Sequence, residues 1–256
     1  MLSKTKIKYL NSLKSKKFRQ KYNNFVAEGD KIGIEILKNA QNTDAIFSTN
    51  IEAIYALPSW IKNHQDLLQP FQAITTEVDN TMLKKISNFQ TPNQALIILK
   101  QFDFDLPPKQ IQTNLTLLLD EIQDPGNLGT ILRIADWFGI PNVICSTNCA
   151  DIYNPKTIQA TMGAFLRVRT FRLDLTKFCR NFSQLPVYGA VLGGENLFQT
   201  KLNKNALVVI GNEGKGISPE MIKQLTHHIE IPANGHAESL NAAIATGIIC
   251  AAFRNL

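Results

Sequence analysis

Leu118-Leu119-Asp120-Glu121-Ile122-Gln123-Asp124-Pro125-Gly126-Asn127-Leu128-Gly129-Thr130-Ile131-Leu132-Arg133 takes the chain from an apolar run, through a Pro-Gly turn, into a helical pattern. The run Leu115–Leu119 has the continuous apolarity of a strand buried on both faces. Asn127 reads as the helix cap, and Gly129 and Arg133 stand at i and i+4, so the small glycine leaves space beside the arginine. Taken alone, the segment fits an ordinary capped helix with a surface arginine equally well. Its rhythm, however, repeats along the rest of the chain.

Further strands are expected at Asn142–Cys145, Arg167–Phe171, Val187–Leu192, Leu207–Ile210 and His228–Ile231. Helical patterns fall at 127–138, 155–163, 174–182, 218–225 and 239–254. Apolar strands alternating with helices predict a parallel sheet covered on both faces. Ligands of such sheets bind beyond the carboxyl ends of the strands, so the strand-exit loops are where chemistry is expected.

Towards the N-terminus the texture changes. Pro107-Pro108 cannot sit inside a helix or a central strand, which makes 101–113 a linker between an N-terminal domain at 1–100 and a C-terminal domain at 114–256. In the first domain, residues 1–22 read as one helix and Asn24–Gly29 as a strand, with a helix from Asp30. Strands are expected at Ala45–Ser48 and Gln94–Leu99, and helices at 51–57 and 80–87.

Composition narrows the class. Hydrophobic residues make up 44% of the 256 and charged ones 19%, which excludes a disordered chain. No run of 18 apolar residues marks a membrane span, and no apolar signal core follows Met1, so a cytoplasmic location is expected. Cys145, Cys149, Cys179 and Cys250 have no zinc-type spacing and read as reduced, buried thiols, and the four histidines form no metal motif. Of the 27 Lys and Arg, eight lie in residues 1–22, where there is no acid. The net charge of +6 therefore belongs to one end of the molecule, on a slightly acidic body.

Two further exit loops stand out. Gly211-Asn212-Glu213-Gly214-Lys215-Gly216 follows an apolar strand, and three glycines in six residues imply tight backbone and close ligand approach. A phosphate loop would need Lys where Ile217 stands, and no GxGxxG follows the first strand of either domain, so nucleotide hydrolysis and dinucleotide binding lose support. Glu213 would repel phosphate and better suits a cationic ligand or a hydroxyl. The third loop, Ile231-Pro232 to Ser239-Leu240-Asn241, leads into a helix rich in Ala and Gly. There Ser239 reads as the cap, with Asn241 one turn in.

In this order, Asn127–Gly129–Arg133, Gly211–Gly216 and Ile231-Pro232…Ser239-Leu240-Asn241 resemble the three signature motifs of the SpoU (TrmH-like) family, RNA ribose 2′-O-methyltransferases of the SPOUT class. The resemblance covers residues 115–256. It includes Asn154-Pro155-Lys156…Gly163-Ala164, although Gln159 and Thr161 stand where the family more often has Arg and Ser. Phe25-Val26-Ala27-Glu28-Gly29 is similar to the small, ribosomal-protein-like α/β domain with which many members bind RNA.

The resemblance implies a C-terminal parallel-sheet α/β domain closed by a trefoil knot, a homodimer, and S-adenosylmethionine as cofactor. By motif position, Gly211, Ile231 and Leu240 would hold the cofactor through backbone atoms, with Leu192 and Gly193 closing over it. Arg133 would be the centre of the chemistry, acting across the dimer. It would hold an RNA phosphate and orient the ribose hydroxyl, since a guanidinium stays protonated at neutral pH. Asn127 and Glu213 would orient Arg133 and its loop, and Ser239 and Asn241 would place the ribose. The implied substrate is ribosomal RNA, of the 23S kind, in preference to transfer RNA. The basic arm would contact phosphates. The competing readings are a transfer-RNA 2′-O-methyltransferase and a non-catalytic RNA-binding protein of the same fold. No metal and no membrane partner are expected.

Overall fold

The computed structural model describes residues 2–42 and 51–254, so the strand expected at Ala45–Ser48 lies outside the described residues. The chain divides into two compact units. One comprises Met1–Asp103 with Tyr153–Leu166, and the other Phe104–Ile152 with Arg167–Leu256. This differs from the boundaries read in the sequence. The stretch 153–166 packs with the first unit, where Ile158, Phe165 and Leu166 join the core around Phe25, Ile36 and Ile97. The linker read at 101–113 is partly structured, with a helix at Pro108–Thr113 whose Ile111 is fully buried in the second unit.

In the first unit α1 (Lys4–Ser12) and α2 (Lys16–Tyr22) precede β1 (Asn24–Glu28), α3 (Asp30–Gln41) and β2 (Ile51–Ala56). Two short helices, α4 (Pro58–Asn63) and α5 (Gln65–Leu68), lead to β3 (Thr75–Glu77), α6 (Asn80–Ile86) and β4 (Ala95–Lys100). The sheet order is β1-β4-β2-β3, antiparallel except for the β2–β3 pair. The single helix expected over 1–22 is two helices. The break at residues 13–15 is held by the buried Arg19, whose Nη1 donates to the carbonyls of Leu13 and Lys14, both at 2.8 Å. The helix expected at 51–57 is instead the central strand β2. Ile51, Ile54 and Ala56 face one core cluster and Tyr55 the other, so burial on both sides overrides a pattern that also fits a helix. The short edge strand β3 carries no apolar run and was not anticipated.

The second unit contains α7 (Pro108–Thr113), β5 (Thr116–Leu119), α8 (Pro125–Trp137), β6 (Asn142–Cys145) and, beyond α9 (Pro155–Thr161) of the first unit, β7 (Arg169–Arg172). It continues through α10 (Leu175–Asn181), β8 (Val187–Asn196), β9 (Leu207–Ile210), α11 (Pro219–Ile222), β10 (His227–Glu230) and α12 (Ala242–Phe253). The strands form one parallel sheet in the order β10-β8-β9-β5-β6-β7. Side chains alternate between its faces. Leu117, Leu119, Val208 and Ile210 meet α8 and α12 on one side, while Leu118, Leu207 and Val209 meet α7, α10 and α11 on the other. From β5 the chain builds outward through β6 and β7, and later strands fill the opposite side. The order therefore reverses between β5 and β9, the place where sheets of this kind form a crevice at the strands' carboxyl ends.

Candidate active site

The loops that leave β5 and β9 flank this crevice and are bonded to each other. At the end of β5, the buried Asp120 accepts a hydrogen bond from the Ser218 amide at 2.7 Å. Glu121 follows in the left-handed region, φ 58°, which turns the chain out of the sheet. Its amide donates to Ser146 Oγ, its carbonyl accepts from Asn212 Nδ2 at 2.9 Å, and its carboxylate accepts from Asn148 and lies 3.6 Å from Lys215 Nζ. Glu121 thus ties the exits of β5, β6 and β9 together.

Asp124 caps α8, accepting from the Asn127 amide at 2.7 Å, and Pro125 opens the helix. This corrects the expectation that Asn127 is the cap. Freed from capping, the Asn127 side chain donates through Nδ2 to Glu213 Oε1 and accepts through Oδ1 from Asn241 Nδ2 at 2.9 Å. Asn241 is itself the cap of α12, its Oδ1 accepting from the amides of Ala243 and Ile244. Ser239, expected as that cap, lies exposed in the preceding loop. One amide-carboxylate chain, Glu213–Asn127–Asn241, therefore joins all three strand-exit loops.

Arg133 lies two turns into α8, exposed, and makes no hydrogen bond or ion pair among the described residues. The expectation that Asn127 and Glu213 orient it is corrected accordingly: they bind each other and leave the guanidinium free for a group from outside the chain.

The glycine loop after β9 is a closed turn. The backbones of Asn212 and Gly216 exchange two hydrogen bonds, and Asn212 Oδ1 accepts from the amides of Gly214 and Lys215. A Cβ at Gly211 would lie 2.4 Å from the Gly216 carbonyl carbon, so only glycine permits this approach. Beside it, β8 and β10 lose register. His228 pairs with Gly189 and Ile229 with Glu195, so residues 190–194 bulge from the ladder. Gly193, φ 74°, donates its amide to Glu230 Oε2 at 3.0 Å, and Leu192 is 82% exposed on the bulge. In the third loop Ile231 packs against the core, while Leu240 remains 44% exposed.

The loop after β6 braces this assembly from behind. Arg172 donates to the carbonyls of Thr147, Cys149 and Ala150 at 2.6–2.9 Å. Within the loop, a hydrogen bond from Cys145 pulls the Cys149 thiol down to about 6, and the same bond together with burial pushes Cys145 well up. All four cysteines are free and buried.

Asp120, Glu121, Asp124, Asn212 and Glu230 were not singled out in the sequence. Asp124 was legible, because Asp-Pro at a turn is a cap followed by an N1 proline. The bonds of the others that tie the loops together run to partners 25 to 98 residues away and leave no local signature.

Residues 114–251 match the model of the SpoU rRNA Methylase family, and residues 4–96 match the MRM3-like substrate binding domain. The chain is 28% identical over 248 residues to the 23S rRNA (guanosine(2553)-2′-O)-methyltransferase of Bacillus subtilis, covering 95% of this chain and 94% of that protein. It is 32% identical over 161 residues to human mitochondrial rRNA methyltransferase 3, covering 61% of this chain and 36% of that longer protein. Among solved structures, an RNA methyltransferase of the TrmH family from Porphyromonas gingivalis superposes with TM-score 0.86 at 37% identity, covering 100% of this chain and 99% of that one. The AdoMet-bound rRNA methyltransferase of Sinorhizobium meliloti superposes with TM-score 0.85 at 26% identity, covering 100% and 96%. The three loops that the fold ties into one crevice all lie within the matched C-terminal segment, and the chain belongs to the SpoU rRNA methylase family.

Proposed function

We propose that this protein methylates a ribose 2′-hydroxyl of ribosomal RNA, of the 23S kind, using S-adenosylmethionine, as a cytoplasmic homodimer without a metal. The observation that carries this reading is the Glu213–Asn127–Asn241 chain, which fixes all three family motifs at the β5/β9 reversal point. The full-length similarity to a 23S rRNA 2′-O-methyltransferase supports the choice of RNA.

The residues present suit the cofactor. Gly193, Gly211 and the Ile231–Leu240 loop offer backbone at close approach, while Leu192 and Leu240 present apolar side chains that a purine would cover. Glu213 and Glu230 make the rim acidic, which favours a cationic ligand over a phosphate. When bound, S-adenosylmethionine supplies a sulfonium methyl open to in-line attack. The chain's own part is to hold the nucleophile. Arg133, permanently charged, holds an RNA phosphate and sets the 2′-hydroxyl in line, and that phosphate can share the departing proton. Asn127 and Glu213 fix the two loops on either side, and Ser239, exposed near the cap of α12, is placed for the ribose.

The dimer is supported by the apolar outer face of α12, where Ile244 is 58% exposed among half-buried Ala245, Gly247 and Ile248, and by Trp137, 84% exposed on the adjoining α8. A face of this kind is read as an interface. Trp137 stands four residues after Arg133 on α8, in keeping with an active site completed across two subunits. The trefoil knot is part of the same proposal, resting on likeness to the family's structures. Ile244→Glu is expected to give monomers in sedimentation, with rate loss exceeding any loss of fold.

The decisive experiment is deletion of the gene followed by mapping of 2′-O-methyl groups. Loss of one site in 23S RNA is expected, restored by the wild-type gene and not by Arg133→Ala. Loss confined to a transfer RNA would replace the proposed substrate.

A further inference from the structure

The basic N-terminal segment is not a tail. Leu10 and Leu13 are fully buried against Val26, Leu96 and Ile98, so the α1–α2 hairpin is part of the first unit's core. Arg19 is 2% exposed and serves as the internal brace of the turn, which removes it from any outer surface. The seven lysines of the segment, in contrast, are all exposed.

Their placement works against the helices that carry them. Lys4 and Lys6 lie in the first turn of α1, and Lys16 and Lys17 in the first turn of α2, where the helix dipole disfavours cations. Neither first turn holds an acid. Lys4 and Lys8, and Lys17 and Lys21, are like charges at i, i+4, which destabilises a helix. Among the described residues none of these lysines has a carboxylate partner within ion-pair distance. The array extends to α6, because the Asn11 side chain donates to the Lys85 carbonyl, which brings exposed Lys84 and Lys85 alongside α1. An ordered array that opposes local folding rules has its counter-charge elsewhere. Tyr22, 40% exposed at the end of α2, stacks on Phe18 and meets Tyr9 edge-on, so a braced aromatic ring stands amid the lysines.

We propose that the outer face of the α1–α2 hairpin, continued by Lys84 and Lys85, is a preformed docking surface for the phosphate backbone of the RNA substrate. This surface belongs to the first unit, and the methyl-transfer crevice to the second. The inference rests on the reading of the protein as an RNA methyltransferase and adds where the RNA is held. Lysines present point charges without a planar fork, and none is directed at a base edge by a partner. The surface therefore reads the backbone without sequence preference, and base choice is left to other parts of the molecule.

The test compares the full-length wild type with K8Q/K16Q/K17Q/K21Q and its charge-conserving counterpart K8R/K16R/K17R/K21R. The probes are a ribosomal RNA fragment across a salt series, S-adenosylhomocysteine, and anionic-lipid vesicles. For the glutamine variant at about 0.1 M salt, RNA affinity is expected to fall on the order of 10- to 1,000-fold, with the log-log salt slope shallower by roughly 3. The arginine variant should keep both, S-adenosylhomocysteine affinity should be unchanged in all three, and the thermal midpoint of the glutamine variant should be no lower than that of the wild type. RNA affinity and slope within twofold of wild type in the glutamine variant overturn the proposal. So does loss of vesicle binding with RNA binding intact, which would make the face a membrane contact. If the wild type methylates no RNA while the glutamine variant still loses RNA binding, the docking surface stands and the proposed activity falls.

Discussion

The crevice and the hairpin arrange polar side chains in opposite ways. Around the crevice, Asn127 bonds both Glu213 and Asn241, Glu121 bonds Asn212, and Arg133 makes no bond among the described residues. On the hairpin every lysine is exposed, Lys6 and Lys21 lying over the rings of Tyr9 and Tyr22, and among the basic groups described there Arg19 is the one buried and hydrogen-bonded within the chain. The crevice is a bonded lattice beside one open group, whereas the hairpin is an array of independent charges. A lattice responds to mutation as a unit, and independent charges respond one by one. Catalysis needs the first, since a reacting hydroxyl must be held to a fraction of an ångström. Backbone docking is served by the second.

The largest expected effect tests the one open group beside the lattice. Arg133→Ala should slow single-turnover methyl transfer on the order of 100-fold or more, with S-adenosylhomocysteine binding unchanged in calorimetry. A wild-type rate would remove Arg133 from the chemistry. Next comes the exception within the hairpin. Arg19→Ala removes the buried guanidinium and leaves the Leu13 and Lys14 carbonyls without their donor, which should cost about 2–3 kcal/mol in denaturant unfolding, without altering the salt slope of RNA binding. A changed slope with intact stability would place Arg19 among the phosphate contacts and spoil the contrast. Within the lattice, Asn127→Ala and Glu213→Ala should each slow turnover by roughly 10-fold, and the double variant should be little worse than either. Multiplicative losses would mean that the two side chains act separately. Smallest are the single lysines. Lys17→Gln and Lys21→Gln should each weaken RNA binding only about 2- to 5-fold, near-additively, with the slope falling by roughly 0.7–0.9 per contact.

The parallel sheet was legible because its inner strands β5, β6 and β9 are buried on both faces and read as apolar runs. β2 was not, since Ile51, Ile54 and Tyr55 stand at i, i+3 and i+4 and mimic one face of a helix. Only its place between β4 and β3 decides the matter. The positions Asn127, Glu213 and Asn241 were visible in the motifs, while the two helix caps were read two or three residues away, at Asn127 for Asp124 and at Ser239 for Asn241. Each exit loop offers two cap-forming side chains, Asp124 with Asn127 and Ser239 with Asn241. The proline after Asp124 marks that cap locally, but nothing local chooses between Ser239 and Asn241, and the bond that Asn241 makes reaches a partner 114 residues away. The same holds for Asp120 and Ser218, whose bond closes the loops from beneath.

The excursion of residues 153–166 into the N-terminal unit sets a limit on dissecting the molecule. A fragment ending near Asp103 would lack Tyr153, Ile158, Phe165 and Leu166, the side chains that cover Phe25 and its neighbours. Such a fragment would carry a bare apolar wound and tend to aggregate. The substrate-binding half is therefore no portable cassette. An exchange between relatives must carry 153–166 with it, and sequence change in β1 is bound to change in a segment more than a hundred residues downstream.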